Sequence, residues 1–144
     1  MPDHVVVDAS LAAKWVVPEP DSAAARALVE QWRAAGLAIA MPVHGPTEIA
    51  GVVRRYQRHG VFDLPRAKQA FLDAMAIGIG VVDGPGLYLR ALELADQYGR
   101  SVPDAMYLAL AESLGCELWT ADGVLKNAVS PSLAWVRLLG QPTR

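Results

Sequence analysis

Four carboxylates stand where a chain of alternating strands and helices can bring them together. Asp8 closes the run "VVVD" and Asp122 closes "LWTAD", while Glu48 and Asp104 fall in first helical turns behind the breaks "GP" and "SVP". Each has an ordinary structural explanation taken alone, as a helix cap or as a complement to a helix dipole. Asp122 also has Lys126 at i+4 as a local partner. The residues one turn on from the others are not cations: Leu11 and Ala12 after Asp8, Gly51 and Val52 after Glu48, Tyr107 and Leu108 after Asp104. Converging on one rim, four carboxylates repel one another and hold their protons more tightly unless a cation neutralises them. An oxygen-only set with no His or Cys beside it in sequence suits Mg²⁺ or Mn²⁺ better than Zn²⁺. Such an ion polarises a phosphoryl oxygen and acidifies an attacking water, which is phosphodiester or phosphoryl chemistry.

The elements that must position these acids are readable from apolar runs and breakers. Strands are expected at "HVVV", "LAIAM", "IGVV", "CELWT" and "LAWVRLL". Helices are expected at "ASLAAKWVV" up to Pro18, "SAAARALVEQWRAAG" capped by Asp21 or Ser22, "GPTEIAGVVRRYQRHG", "LPRAKQAFLDAMAIG", "LYLRALELADQYG", "VPDAMYLALAESLG" capped by Ser101, and "DGVLKNAV". Apolar strands separated by helices predict an α/β fold, a three-layer α/β/α sandwich on a mostly parallel sheet of about five strands. In such sheets ligands bind beyond the carboxyl ends of the strands. That is the rim where Asp8 and Asp122 fall.

The chain has 144 residues, 53% of them hydrophobic, enough for a single core. Residues 1–140 read as a single domain and 141–144 as a frayed tail. A net charge of -2 leaves no global footprint for nucleic acid or membrane, so an anionic partner needs a local patch or a metal. Cys116 is the only cysteine, which excludes an intrachain disulfide and a cysteine metal cage. The N-terminus enters a strand at once, without a standard export signal, and the longest uncharged stretch near the middle, residues 74–82, is far short of a bilayer span. A cytoplasmic protein with no membrane association is expected. The turn "DASLAAKW" has no glycine, so neither a dinucleotide fingerprint nor a P-loop is present, and HExxH and GxSxG are absent. His4, His44 and His59 are scattered and read as surface or internally satisfied histidines.

Taken together, "VVVDASLAAKWVVPEP", "PTEIAGVVRR" and "VPDAMYLALAESLGCELWTAD" resemble the PIN-domain ribonucleases, and most closely the VapC toxins of toxin–antitoxin pairs. The resemblance covers nearly the whole chain and implies a Mg²⁺- or Mn²⁺-dependent endoribonuclease with Asp8, Glu48, Asp104 and Asp122 as its metal-binding quartet. It implies supporting hydroxyls at Ser10 and Thr120, RNA cleavage leaving 5′-phosphate and 3′-hydroxyl ends, a homodimer, and a VapB-like antitoxin that blocks the site. Lys14, Trp15 and Glu19 match a subgroup pattern; Trp15 reads as core and Lys14 as a solvated position or a phosphate contact. Arg54, Arg55 and Arg58, on the helix that begins near Glu48, are candidates for phosphate contact, with Arg54 and Arg58 sharing a face. Two departures stand out. Gly51 replaces an asparagine common in the family, and Gly123, Val124 and Leu125 stand where many members carry a further acid, which bears on a second metal.

Two other functions fit some of these residues. A PIN-like module could hold RNA or antitoxin on the same rim without cutting. A phosphatase with a nucleophilic aspartate fits "DASL" less well, because no second acid follows two residues after Asp8.

Overall fold

The computed structural model describes residues 2–141. Its elements run β1 (His4–Val7), α1 (Ala9–Lys14), α2 (Ser22–Ala34), β2 (Ala38–Pro42), α3 (Gly45–Arg58), α4 (Leu64–Ala76), β3 (Gly80–Val82), α5 (Pro85–Tyr98), α6 (Val102–Leu114), β4 (Leu118–Thr120), α7 (Gly123–Val129) and β5 (Val136–Leu138). The sheet order is β3-β2-β1-β4-β5, and every neighbouring pair is parallel. The expected sandwich is therefore present with a sheet that is parallel throughout.

The strand chemistry explains the order. Val5, Val6 and Val7 are almost fully excluded from solvent, as β-branched residues in the middle strand of a two-faced sheet should be. The edge strands are shorter than the apolar runs that predict them: "LAWVRLL" pairs only over Val136–Leu138, and "IGVV" only over Gly80–Val82. Pro42 ends β2, where its missing N–H costs the ladder little. Helix α1 stops at Lys14 instead of continuing to Val17, and turns link Ala13 to Val16 and Val17 to Glu19 ahead of Pro20.

Helix α6 crosses β1, β2 and β4 and packs along α5, while α1, α3 and α4 pack in series. Its residues 105–111 are all buried. That helix ends at Gly115, whose φ of 63° lies in the left-handed region that favours glycine and turns the chain into β4. Gly45, at the start of α3, sits so close to the buried Met41 that a Cβ there would fall 2.5 Å from its sulfur. Beyond the main core, Val17, Val53, Phe62, Ala67 and Ala70 form a second cluster under α3 and α4. Gln141, assigned above to a tail, exchanges two hydrogen bonds with Leu138; residues 142–144 lie outside the described residues. Among the described residues, no helix is long and apolar enough to cross a membrane.

Candidate functional site

Strand order reverses at β1, whose chain successor β2 lies on one side and β4 on the other. A cleft of about 530 Å³ opens beyond these strands, and Asp8, Glu48, Asp104 and Asp122 all line it. Ser10, Lys14, Gly51, Arg55, Tyr56 and Tyr107 complete much of its wall.

Asp8 is buried directly after β1, with both carboxylate oxygens engaged. Oδ1 accepts from the Ser10 hydroxyl at 2.7 Å and from the Leu11 amide at 3.0 Å, and Oδ2 accepts from the Thr120 hydroxyl. The Ser10 and Thr120 hydroxyls also accept the amides of Ala121 and Asp122. These two hydroxyls thus tie the carboxyl end of β1 to that of β4. Burial pushes Asp8 up to about 6; its three hydrogen bonds pull the other way, and the charge of Asp122 adds to the rise. Asp122 caps α7 through the amides of Val124 and Leu125. Its expected pairing with Lys126 does not form: the lysine extends to the Val136 carbonyl instead, at 2.6 Å.

Glu48 has the partners that a reading confined to the next turn missed. His44, one turn earlier, places Nε2 at 3.3 Å from Glu48 Oε1, and the Tyr107 hydroxyl donates to the same oxygen at 2.7 Å. His44 Nε2 also lies 3.1 Å from the Pro103 carbonyl, so with two acceptors facing it this nitrogen carries a proton. The imidazole packs on the Tyr107 ring with centroids 4.9 Å apart. His44 is thus an internally satisfied histidine, one of the two expected alternatives, and it holds one of the cleft's acids. The His44 contact holds Glu48 below the ordinary carboxylate range, against partial burial, and the Tyr107 hydroxyl assists. Both contacts fall on Oε1, which leaves Oε2 without a protein partner among the described residues.

Asp104 sits in the first turn of α6, where Ser101 accepts its amide at 3.2 Å as the N-cap. Its carboxyl is raised by burial, then by the charges of Asp122 and Glu48, with Arg100 acting weakly in the other direction. Of the candidate cations, Lys14 and Arg55 line the cleft while Arg54 and Arg58 do not. Lys14 is paired with Asp21 at 3.0 Å. Trp15 is core, its indole N–H bonded to the Ala25 carbonyl, and Glu19 accepts from Tyr56.

A family model described as the PIN domain matches residues 5–129. The chain belongs to the PIN domain family. The PIN domain match takes in all four acids and both hydroxyls. Among solved structures, the chain is similar to PAE2754 from Pyrobaculum aerophilum, at 25% identity and a TM-score of 0.65 over 94% of this chain and 88% of that one. It is also similar to VapC20 of Mycobacterium tuberculosis, described as a sarcin-ricin loop cleaving toxin, at 18% identity and a TM-score of 0.63 over 86% of this chain and 94% of that one. The second likeness is one of fold. No curated protein matches the chain.

The donor chemistry of this PIN domain suits a hard divalent cation. The four acids are oxygen donors, and Asp8 and Asp104 are raised in part by the other carboxylates. A divalent ion among them would relieve that repulsion. Among the described residues, no three His, Cys, Asp or Glu side chains are gathered in ligating geometry. The acids ring an open cleft. Mg²⁺ is commonly held in such surroundings by one or two carboxylates, with water and substrate phosphate completing its shell.

Proposed function

We propose that this PIN domain is a Mg²⁺- or Mn²⁺-dependent endoribonuclease and the toxin component of a VapC-type toxin–antitoxin pair. The observation that carries the reading is the meeting of Asp8, Glu48, Asp104 and Asp122, drawn from four separate parts of the chain, on one cleft at the carboxyl ends of β1 and β4. Family membership and the resemblance of the sequence to VapC toxins add to it.

The four acids would hold the cation. When bound, a divalent ion supplies a counter-charge for the scissile phosphate and acidifies the attacking water. Ser10 and Thr120 hold Asp8 in one orientation, and His44 and Tyr107 occupy Glu48 Oε1, which leaves Oε2 without a protein partner among the described residues. Cleavage adds water across a phosphodiester and leaves 5′-phosphate and 3′-hydroxyl ends. The remaining parts of the reading are a homodimer, a VapB-like antitoxin that brings a basic side chain to the acids, and a cytoplasmic setting.

The test is cleavage of cellular RNA by the purified protein with Mg²⁺ or Mn²⁺, stopped by a chelator. Asp104→Asn cleaving at the wild-type rate under saturating metal would sink the assignment. Gly51 and the acid-free stretch 123–125 favour a second reading, a module that holds RNA or antitoxin without cutting. Calorimetric titration with Mn²⁺ on wild type and on Asp8→Asn separates the two, because a pure binding module has no need of the ion.

A further inference from the structure

Helix α3 presents a stripe of residues to the cleft. Glu48, Gly51, Val52 and Arg55 follow one another at helical spacing, and all line it. The stripe begins with an acid, ends with a cation about 10 Å further along the helix axis, and has a gap between them. A Cβ built on Gly51 would meet nothing within 4 Å, and its backbone is ordinary helix. Nothing in the fold requires glycine there, and glycine in mid-helix costs on the order of 1 kcal/mol against alanine. The space over Gly51 belongs to the cleft.

Arg55 is exposed and makes no ion pair among the described residues, although four acids share its cleft. The other cleft cation, Lys14, is held by Asp21. Beside Arg55, Tyr56 donates its hydroxyl to Glu19 and packs on Phe62, at 6.1 Å between ring centroids, and these contacts anchor this part of the wall. A nucleic acid strand carries one negative charge per nucleotide, and phosphate contacts set its register on a protein. With one phosphate among the acids, a neighbouring phosphate along α3 meets an unpaired guanidinium.

We propose that the Gly51–Arg55 stretch is a subsite for the nucleotide flanking the cleaved bond. Arg55 takes that nucleotide's phosphate, and the bare backbone at Gly51 leaves room for its sugar and base. The subsite rests on the ribonuclease reading above. It assigns Gly51 a role opposite to a defect: the missing side chain is what the substrate fills.

The experiment measures kcat and KM on short single-stranded RNAs of mixed sequence at several KCl concentrations, for wild type, Arg55→Gln and Gly51→Leu. Mn²⁺ affinity by calorimetry and thermal melting are recorded for each protein. Arg55→Gln is expected to raise KM and to flatten the plot of log(kcat/KM) against log salt by about 0.7, the loss of one phosphate contact on a single strand. Gly51→Leu is expected to lower kcat/KM at least tenfold with the wild-type salt slope. Both should melt as folded proteins and bind Mn²⁺ as wild type does. A wild-type slope in Arg55→Gln, wild-type cleavage by Gly51→Leu, or loss of Mn²⁺ affinity in either variant overturns the subsite and leaves the ribonuclease standing. A wild-type protein with no metal-dependent cleavage removes the ribonuclease reading, and the subsite falls with it.

Discussion

Replacing Asp8 by asparagine should stabilise the metal-free protein while removing its ability to use a metal. Asp8 is buried, and its carboxyl is pushed from the ordinary 3.8 up to about 6. The folded state therefore holds this proton more tightly than the unfolded chain does. The resulting stability is fully present below about pH 4 and is lost as pH rises through about 6. At about 1.4 kcal/mol per pH unit, the charged form costs the folded protein about 3 kcal/mol at neutral pH. Asparagine mimics the neutral acid. Its Oδ1 can keep the Ser10 and Leu11 contacts, but its amide faces the Thr120 hydroxyl, which must turn toward Ser10 Oγ 3.2 Å away. Allowing about 1 kcal/mol for that rearrangement, the net gain is about 2 kcal/mol at pH 7 and near zero or slightly negative at pH 4. For a chain of this size that is a rise of about 4–8 °C in Tm. The assay is circular-dichroism melting of both proteins in chelator from pH 4 to pH 8, where subtracting the two curves cancels the other titrating groups. Excess Mn²⁺ should then raise the Tm of wild type and leave Asp8→Asn unchanged. A Tm difference that is the same at pH 4 and pH 7 refutes the reasoning, because desolvation of the charged carboxylate could not then be its source.

Other sites give independent checks. Tyr107→Phe removes one of two donors to Glu48 Oε1; it should weaken Mn²⁺ binding several-fold in calorimetry while costing about 1 kcal/mol in urea unfolding. Thr120→Val keeps the side-chain shape but leaves Asp8 Oδ2 and the Asp122 amide without their partner; about 2–3 kcal/mol should be lost at neutral pH, and less at pH 4, where Asp8 is protonated. Ser101→Ala deletes the α6 cap and should cost about 1 kcal/mol, read from the urea midpoint at unchanged m. Trp119→Ala empties a nearly fully buried position in β4 and should cost about 3–5 kcal/mol, enough to lower Tm by several degrees in any buffer.

The fold was legible because its signals are local. Val5–Val7 announce a two-faced strand, Ser101 with Pro103 starts α6, and Gly36, Gly60, Gly99 and Gly115 end helices at positive φ. Strand lengths were less legible, since an apolar run such as "LAWVRLL" carries no mark of how many residues find a partner. The four acids could be named from their places after strands and in first turns, because parallel topology sends those places to one rim. What holds them there was not legible. His44 reaches Glu48 backward along α3, and Tyr107 reaches it from 59 residues away in sequence. Lys126 had the right spacing for Asp122, yet the Val136 carbonyl on β5 takes its ammonium. Among Arg54, Arg55 and Arg58, spacing singled out the pair on one helix face, while the cleft takes the third, since only packing decides which face of α3 looks inward.

The bond between Thr120 and Asp8 spans 112 residues of sequence. It has a consequence for the chain as it is made. Asp8 leaves the ribosome 112 residues ahead of its clamp Thr120, and its neighbour Asp122 arrives later still, with α7. Until β4 inserts beside β1, the emerging polypeptide has half a rim and no closed cleft. Long-range parallel pairing of this kind forms late because its loop must close first. The acidic rim, and any chemistry that depends on it, would thus stay incomplete until β4 and α7 had been made.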